Sequence, residues 1–115
     1  MKFVEVRVRN LTARYDGKVK LWDAVNEALW EPAPKNLPNR TWPYTESMDN
    51  LVDYISKVIR WGREESPGAK FVINDYGIGV VNKSGLQDQY GETVTTQRQR
   101  KRYLELVERL QDAGY

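Results

Sequence analysis

The chain has 115 residues, enough for one modest domain, and its 18 basic and 16 acidic side chains leave a net charge of +2. So balanced a charge argues against a dedicated nucleic-acid binder. The absence of cysteine and histidine excludes disulfides, thiolate or imidazole metal ligands and a histidine base. Acid–base chemistry here must use carboxylates, and we expect neither a metal nor another cofactor.

Nothing in the sequence indicates a membrane segment or a leader. No stretch approaches the roughly 18 apolar residues of a membrane span. The start Met-Lys-Phe-Val lacks the apolar core and cleavage site of a signal peptide. We therefore expect no membrane partner, and the location of the protein stays open.

Residues 1–15 fit two patterns. Valines alternate with charged residues between Val4 and Val8, as in a strand, whereas Val4, Val8, Leu11 and Tyr15 share one helical face. Gly17 is a plausible helix stop and favours the helix. Valine is a poor helix former, so the strand remains the alternative.

An apolar run follows, which predicts a short strand buried on both faces, as in parallel sheets. Its members are Val19, Leu21, Ala24 and Val25. Asn26 and Glu27 come directly after it, at the carboxyl end of the strand, where open α/β sheets and barrels place their ligands and catalytic groups.

The segment from Leu29 to Tyr44 holds four of the five prolines and is predicted to be a long loop. Its Trp30, Arg40 and Trp42 are candidates for the border of a substrate cleft. The alternative is that these aromatic side chains cover the rim of the fold and stabilise the loop.

The next segment predicts an amphipathic helix with Thr45 or Ser47 as its N-terminal cap. Its apolar positions follow three-four spacing and should pack in the core: Met48, Leu51, Val52, Ile55, Val58, Ile59 and Gly62. Ser66-Pro67-Gly68 then turns the chain into a second strand, residues 69–76.

The second strand repeats the plan of the first. Phe71, Val72 and Ile73 are followed by Asn74, Asp75 and Tyr76. Two such strands separated by a helix predict a βαβ unit, in which both polar ends lie at one edge of the sheet.

Residues 77–92 are predicted to form a second loop, and a last helix is expected from about Thr95 to Ala113. Its inward side chains should be Tyr103, Leu104, Val107 and Leu110. The basic run 98–102 is either a nucleic-acid patch or a solvated helix face. Glu105 and Glu108 neutralise it within two turns, so we favour the solvated face and expect no nucleic-acid partner.

Three stretches carry a resemblance to a known family. Residues 22–28 read W-D-A-V-N-E-A, residues 71–76 read F-V-I-N-D-Y, and residues 14–18 read R-Y-D-G-K. They resemble the family 10 glycoside hydrolases, the endo-1,4-β-xylanases, at the fourth strand, the fifth strand and the entry to the fourth strand. Ala24 and Gly77 depart from the family pattern.

The resemblance implies an α/β fold: a (βα)2 segment of a TIM (β/α)8 barrel in the order helix-strand-helix-strand-helix. Residues 1–115 would form a single partial barrel domain, because a whole barrel needs roughly 250 residues. Two strands cannot close a barrel, so both sheet edges and the inward faces of Val19, Leu21, Phe71 and Ile73 would meet water. We therefore expect a homo-oligomer or a complementing barrel segment as partner.

The same resemblance implies roles for the polar strand ends. Glu27 matches the general acid/base of a retaining xylanase, and Asn26 matches the asparagine that bonds the sugar hydroxyl next to the anomeric carbon. Asn74, Asp75 and Tyr76 would hold the cleft and its hydrogen-bond network, with Asn74 and Tyr76 as substrate-binding residues and Tyr76 in contact with sugar. Asp75 is a candidate second carboxylate, but the family nucleophile is a glutamate on a later strand, which this chain lacks.

Three functions remain in view. In the first, which the resemblance implies, the chain would be a xylanase segment with xylan or xylo-oligosaccharide as substrate once the barrel is completed, and inactive alone because the nucleophile strand is absent. Alternatively it is a sugar-binding module without turnover, stacking sugars on Trp30, Trp42 and Tyr76, or a barrel fragment that self-assembles. The parent family is typically secreted.

Overall fold

The fold is described from a computed structural model, which covers residues 1–29, 47–75, 86–87, 93–94 and 96–115. The elements in chain order are α1 (Lys2–Arg14), β1 (Leu21–Asn26), α2 (Met48–Glu65), β2 (Lys70–Asn74), β3 (Leu86–Gln87), β4 (Thr93–Val94) and α3 (Thr96–Asp112). The predicted order of helices and strands is confirmed. A short antiparallel pair, β3 with β4, is added where a loop was expected.

The two long strands form a parallel pair. Leu21 lies opposite Lys70 at one end of the pair and Asn26 lies opposite Asn74 at the other, with an irregularity between Asp23 and Val25. Parallel pairing brings both carboxyl ends to one edge, as the βαβ pattern predicted.

Residues 2–14 are helical, so the helix prediction for the amino-terminal segment is confirmed. The helix ends at Tyr15, and Gly17 takes the left-handed φ of 72° that favours glycine. The Oγ of Ser66, at the end of α2, donates a 2.7 Å hydrogen bond to Asp16, just after α1. Both helices therefore end together, at the edge where both strands begin.

The helix α2 has the predicted amphipathic pattern. Ser47 caps it by accepting a hydrogen bond from the Asn50 N–H at 3.5 Å. Leu51, Ile55 and Ile59 are buried. Gly62 faces the ring of Phe71, and a Cβ built on this glycine would lie 2.4 Å from the ring. The absence of a side chain at Gly62 thus lets β2 approach the helix.

The prediction that the first strand is buried on both faces is wrong. Val25 and, from β2, Phe71 and Ile73 pack toward the helical core, whereas Leu21 is 59% exposed and Val72 is 36% exposed. The described helices pack on one face of the two-stranded sheet, and the other face meets solvent. An apolar run alone does not distinguish these two situations.

The helix α3 places a different set of side chains inward than was predicted. Leu106 and Leu110 are buried and Tyr103 packs against them, but Leu104 is 53% exposed. Residues three, four and seven apart share a helical face, and Tyr103 fixes that face through its contact with β2, which turns Leu104 outward. No helix within the described ranges is long and apolar enough to span a membrane.

The core lies where the end of β1 meets α2 and α3. Ala28 and Leu29, which directly follow Glu27, are 7% and 4% exposed. They belong to one buried cluster with Leu51, Ile55, Ile59, Leu106 and Leu110. The predicted site residues at the end of β1 are therefore attached directly to the buried core.

Candidate active site

Glu27 lies one residue beyond β1, at the carboxyl edge of the sheet. Its main-chain N–H donates a 3.2 Å hydrogen bond to the carbonyl of Asn74, which continues the parallel pairing of Asn26 with Asn74. The residue is partly buried, whereas Asn26 is exposed. Asn26, Glu27 and Asn74, predicted from separate parts of the sequence, are thus brought together.

Glu27 has a left-handed backbone, with φ of 50°. Among the described residues it is the one non-glycine residue with positive φ. This conformation is uncommon outside glycine, asparagine and aspartate, and it costs about 1–2 kcal/mol. It turns the chain out of the strand, so that Ala28 and Leu29 enter the core while Glu27 remains at the sheet edge. Strained residues of this kind cluster at functional sites.

Asp75 contacts the chain just after this turn, at Leu29. Its Oδ2 accepts a hydrogen bond from the main-chain N–H of Leu29 at 3.1 Å. Asp75 was expected as a second carboxylate or as part of a hydrogen-bond network in the cleft, and its contact with the Leu29 amide was not predicted. A carboxylate directly after an apolar strand is the available signal, but sequence alone does not show that its partner is a main-chain amide 46 residues earlier.

Asn74 is oriented by Asp23. The Nδ2 of Asn74 donates a 2.8 Å hydrogen bond to Asp23 Oδ1, across the two strands. An ionised carboxylate only accepts hydrogen bonds, so this contact assigns the amide nitrogen to the Asp23 side. Asp23 had no predicted role, although it stands inside the motif of residues 22–28. Its place on the same sheet face as Asn74 follows from the register, which a sequence does not show.

Tyr103 connects α3 to the end of β2. Its hydroxyl donates a 3.1 Å hydrogen bond to the carbonyl of Ile73. Burial, and then the negative charge of Asp75, raise the pKa of Tyr103 above its ordinary value. The phenol therefore keeps its proton and remains a hydrogen-bond donor at this position.

The remaining predicted site residues lie outside the described residues. These are Trp30, Arg40, Trp42 and Tyr76. In the part of the chain that the structure describes, no group of three or more acidic side chains is placed to hold a metal ion.

A parallel β-α-β pair with a glutamate and an asparagine at its carboxyl edge defines an α/β protein of the kind that places its site at that edge, as open α/β sheets and TIM barrels both do. Residues 2–106 match the model of Glycosyl hydrolase family 10, and the chain belongs to this family.

Individual relatives agree with this membership. Endo-1,4-beta-xylanase B of Thermotoga neapolitana is 31% identical over 85 residues, which cover 71% of this chain and 22% of the relative. Endo-1,4-beta-xylanase A of Caldicellulosiruptor sp. is 37% identical over 71 residues, which cover 60% of this chain and 10% of the relative.

Two solved structures share the fold. The GH10 structure from Paenibacillus barcinonensis has a TM-score of 0.60 and 31% identity, covering 96% of this chain and 29% of that one. Xylanase 10B from Thermotoga petrophila RKU-1, solved in complex with xylobiose, has a TM-score of 0.61 and 22% identity, covering 96% and 27%. The chain thus spans less than a third of the length of these relatives.

Proposed function

We propose that this chain supplies the general acid/base half of a retaining endo-1,4-β-xylanase site, with Glu27 as the acid/base. The observation that carries the proposal is the position of Glu27 at the carboxyl edge of the parallel pair, hydrogen bonded to Asn74 and turned out of the strand at φ of 50°. Active sites of TIM-barrel enzymes are built at this edge. The xylanase names of the relatives supply the substrate class, xylan or xylo-oligosaccharides.

A retaining glycosidase needs two carboxyl groups about 5–5.5 Å apart. In the first step, Glu27 gives its proton to the glycosidic oxygen as the bond to the anomeric carbon breaks, while the second carboxylate attacks that carbon. In the second step, Glu27 removes a proton from water, and the oxygen of that water displaces the second carboxylate. By taking this proton from water, Glu27 returns to its protonated form.

The neighbours of Glu27 fit supporting roles in this reaction. Asn26 is exposed and can reach the hydroxyl next to the anomeric carbon, a contact that tightens in the transition state. Asn74, whose amide is oriented by Asp23, is proposed to bind sugar at the same edge. Trp30, Trp42 and Tyr76 are proposed as stacking faces and Arg40 as a polar contact, as the sequence suggested.

The nucleophile is proposed to be a glutamate of a later barrel strand, outside these 115 residues. Asp75 suits this role poorly, because one of its oxygens already accepts the Leu29 N–H. We therefore expect residues 1–115, a single partial barrel domain, to release no sugar from xylan alone.

The test is Glu27→Gln in a barrel completed with the missing segments of a family 10 xylanase. Turnover of substrates with poor leaving groups should fall by on the order of 10² to 10⁴, the range for general acid catalysis. Aryl glycosides with good leaving groups should lose less in the glycosylation step, measured before steady state. Glu108→Gln, on the exposed face of α3, is the matched control and should keep full turnover. Equal losses for both substrate types would assign Glu27 a binding or structural role.

A second candidate, association of these 115 residues on their own, is favoured by the open sheet face. Leu21 and Val72 are exposed there, and a two-stranded sheet has two unpaired edges. Light scattering at on the order of tens of micromolar should show oligomers, and Leu21→Thr with Val72→Thr should shift the mass toward the monomer. Leu104→Thr, at an exposed leucine of α3, is the control. A monodisperse monomer of the unaltered chain would rule association out.

A further inference from the structure

Two main-chain donors at the end of β1 bond to the end of β2 and to the residue after it. The Glu27 N–H donates to the Asn74 carbonyl and continues the parallel ladder. The next donor in register, the Leu29 N–H, donates to the side-chain Oδ2 of Asp75 at 3.1 Å.

We propose that Asp75 is a positioning residue, whose carboxylate holds the Leu29 amide and thereby fixes the left-handed turn that aims Glu27. The two hydrogen bonds bracket the turn, one at Glu27 and one at Leu29. A strained backbone of this kind persists only where its surroundings fix it on both sides.

The chemistry of the acceptor suits this task. An ionised carboxylate makes a stronger hydrogen bond to a main-chain N–H than a neutral carbonyl does. Asp75 directly follows β2, and its side chain reaches the Leu29 amide from the end of that strand.

The segments on both sides of the contact between Asp75 and Leu29 are themselves held in place. The preceding strand is tied to α3 by the hydrogen bond from Tyr103 to Ile73, two residues before Asp75. The Leu29 side chain is buried in the core on the other side of the contact. Asp75 thus joins two fixed parts of the molecule, and the left-handed turn at Glu27 lies two residues before the Leu29 amide that it holds.

The first experiment uses the 115-residue chain and needs no activity. Asp75→Ala should speed hydrogen exchange of the Leu29 amide by on the order of 10-fold or more and move the Glu27 backbone out of the left-handed region, read from φ-dependent NMR couplings. Asp75→Asn retains an oxygen acceptor and should recover part of both effects. Asp53→Asn, an exposed carboxylate of α2 paired with Lys57, is the matched control and should change neither reading.

The second experiment rests on the proposed function and uses the completed barrel. Asp75→Ala should lower kcat by on the order of 10-fold or more with little change in KM, because misplacing a catalytic group by about 1 Å costs up to about 100-fold. Asp75→Asn should restore part of kcat, and Asp53→Asn should leave it intact. A merely structural contact would lower the folded fraction but leave kcat per folded molecule unchanged.

The outcomes are distinguishable. An unchanged Leu29 amide and Glu27 backbone in Asp75→Ala would overturn the proposal, as would a displaced turn with unchanged kcat. If Asp75→Ala does not fold, hydrogen exchange of the Leu29 amide and the φ-dependent couplings of Glu27 are measured on Asp75→Asn, and these decide whether the proposal holds. If Glu27→Gln leaves turnover intact, the proposed function fails, whereas the NMR result on the turn still supports or overturns the positioning role.

Discussion

The main-chain N–H of Glu27 lies 3.2 Å from the main-chain carbonyl oxygen of Asn74 and donates to it. This bond joins two residues that are separated in the sequence by residues 28–73, which include α2. It shows that the polar ends of β1 and β2 meet at one edge, and it places the candidate acid/base at the first residue beyond the strand.

Because Glu27 has φ of 50°, we predict an unusual order of stability for substitutions at this position. Glu27→Gly should have a free energy of unfolding about 1 kcal/mol above that of Glu27→Ala, since glycine adopts the left-handed region without strain. The measurement is urea unfolding of both variants. At most other positions alanine is the more stable of the two, so an alanine variant that matches or exceeds the glycine variant would contradict the strained turn.

Gly62 should not tolerate a side chain. Gly62→Ala would gain helix propensity, but its Cβ would meet the Phe71 ring at 2.4 Å, and overpacking of this kind costs about 1–3 kcal/mol. We expect a net loss of stability, relieved in the double variant with Phe71→Leu. Gly68→Ala is the control, because nothing lies within 4 Å of the added Cβ. Thermal unfolding compares the variants, and a Gly62→Ala protein as stable as the parent would disprove the close approach.

Tyr103 should make folding sensitive to alkaline pH. Burial and the charge of Asp75 raise its pKa in the folded state, so the folded chain holds this proton at a pH where the unfolded chain has lost it. The free energy of unfolding should therefore fall as pH rises above about 10, the ordinary tyrosine pKa, until the folded-state pKa is passed. At pH values well below 10 the stabilisation that comes from the raised pKa of Tyr103 is fully present.

The matching variant is Tyr103→Phe, which also loses the hydrogen bond to Ile73, worth about 1 kcal/mol. Its deficit relative to the parent should be largest at neutral pH and should shrink as pH rises above 10. Urea unfolding between neutral and alkaline pH measures this difference. A deficit that stays constant across the range would mean that the phenol ionises equally in both states.

Arg9 should stabilise the packing of α1 on α2 through charge. It forms ion pairs with Glu5 at 2.9 Å, Glu64 at 2.6 Å and Glu65 at 2.8 Å, and these carboxylates raise its pKa. Arg9→Gln should lower the melting temperature in dilute buffer, and the loss should shrink in concentrated salt because partly exposed pairs are screened. Arg9→Lys should retain part of the effect. A loss that does not depend on salt would point to packing of the side chain instead.

Much of the fold was predictable from local patterns. The apolar spacing from Met48 to Gly62 predicted α2, and Gly17 correctly favoured a helix for α1, because periodicity and helix-stop signals are local properties. The motifs around Glu27 and Asn74 predicted which residues stand at the strand ends, and the parallel pairing of those strands is confirmed.

Tertiary structure alone decided which face of each element is buried. An apolar run does not reveal which of its side chains face the helices. Leu21 meets solvent as expected, whereas Phe71 and Ile73, expected on the same open face, pack against the core instead. In α3, the contact of Tyr103 with β2 sets the rotation of the helix, which buries Leu106 and exposes Leu104. The left-handed turn at Glu27 and the bond from Leu29 to Asp75 likewise join residues far apart in the chain. A sequence shows how apolar residues are spaced within one helix or strand, but contacts between distant residues form only when the helices and strands pack together.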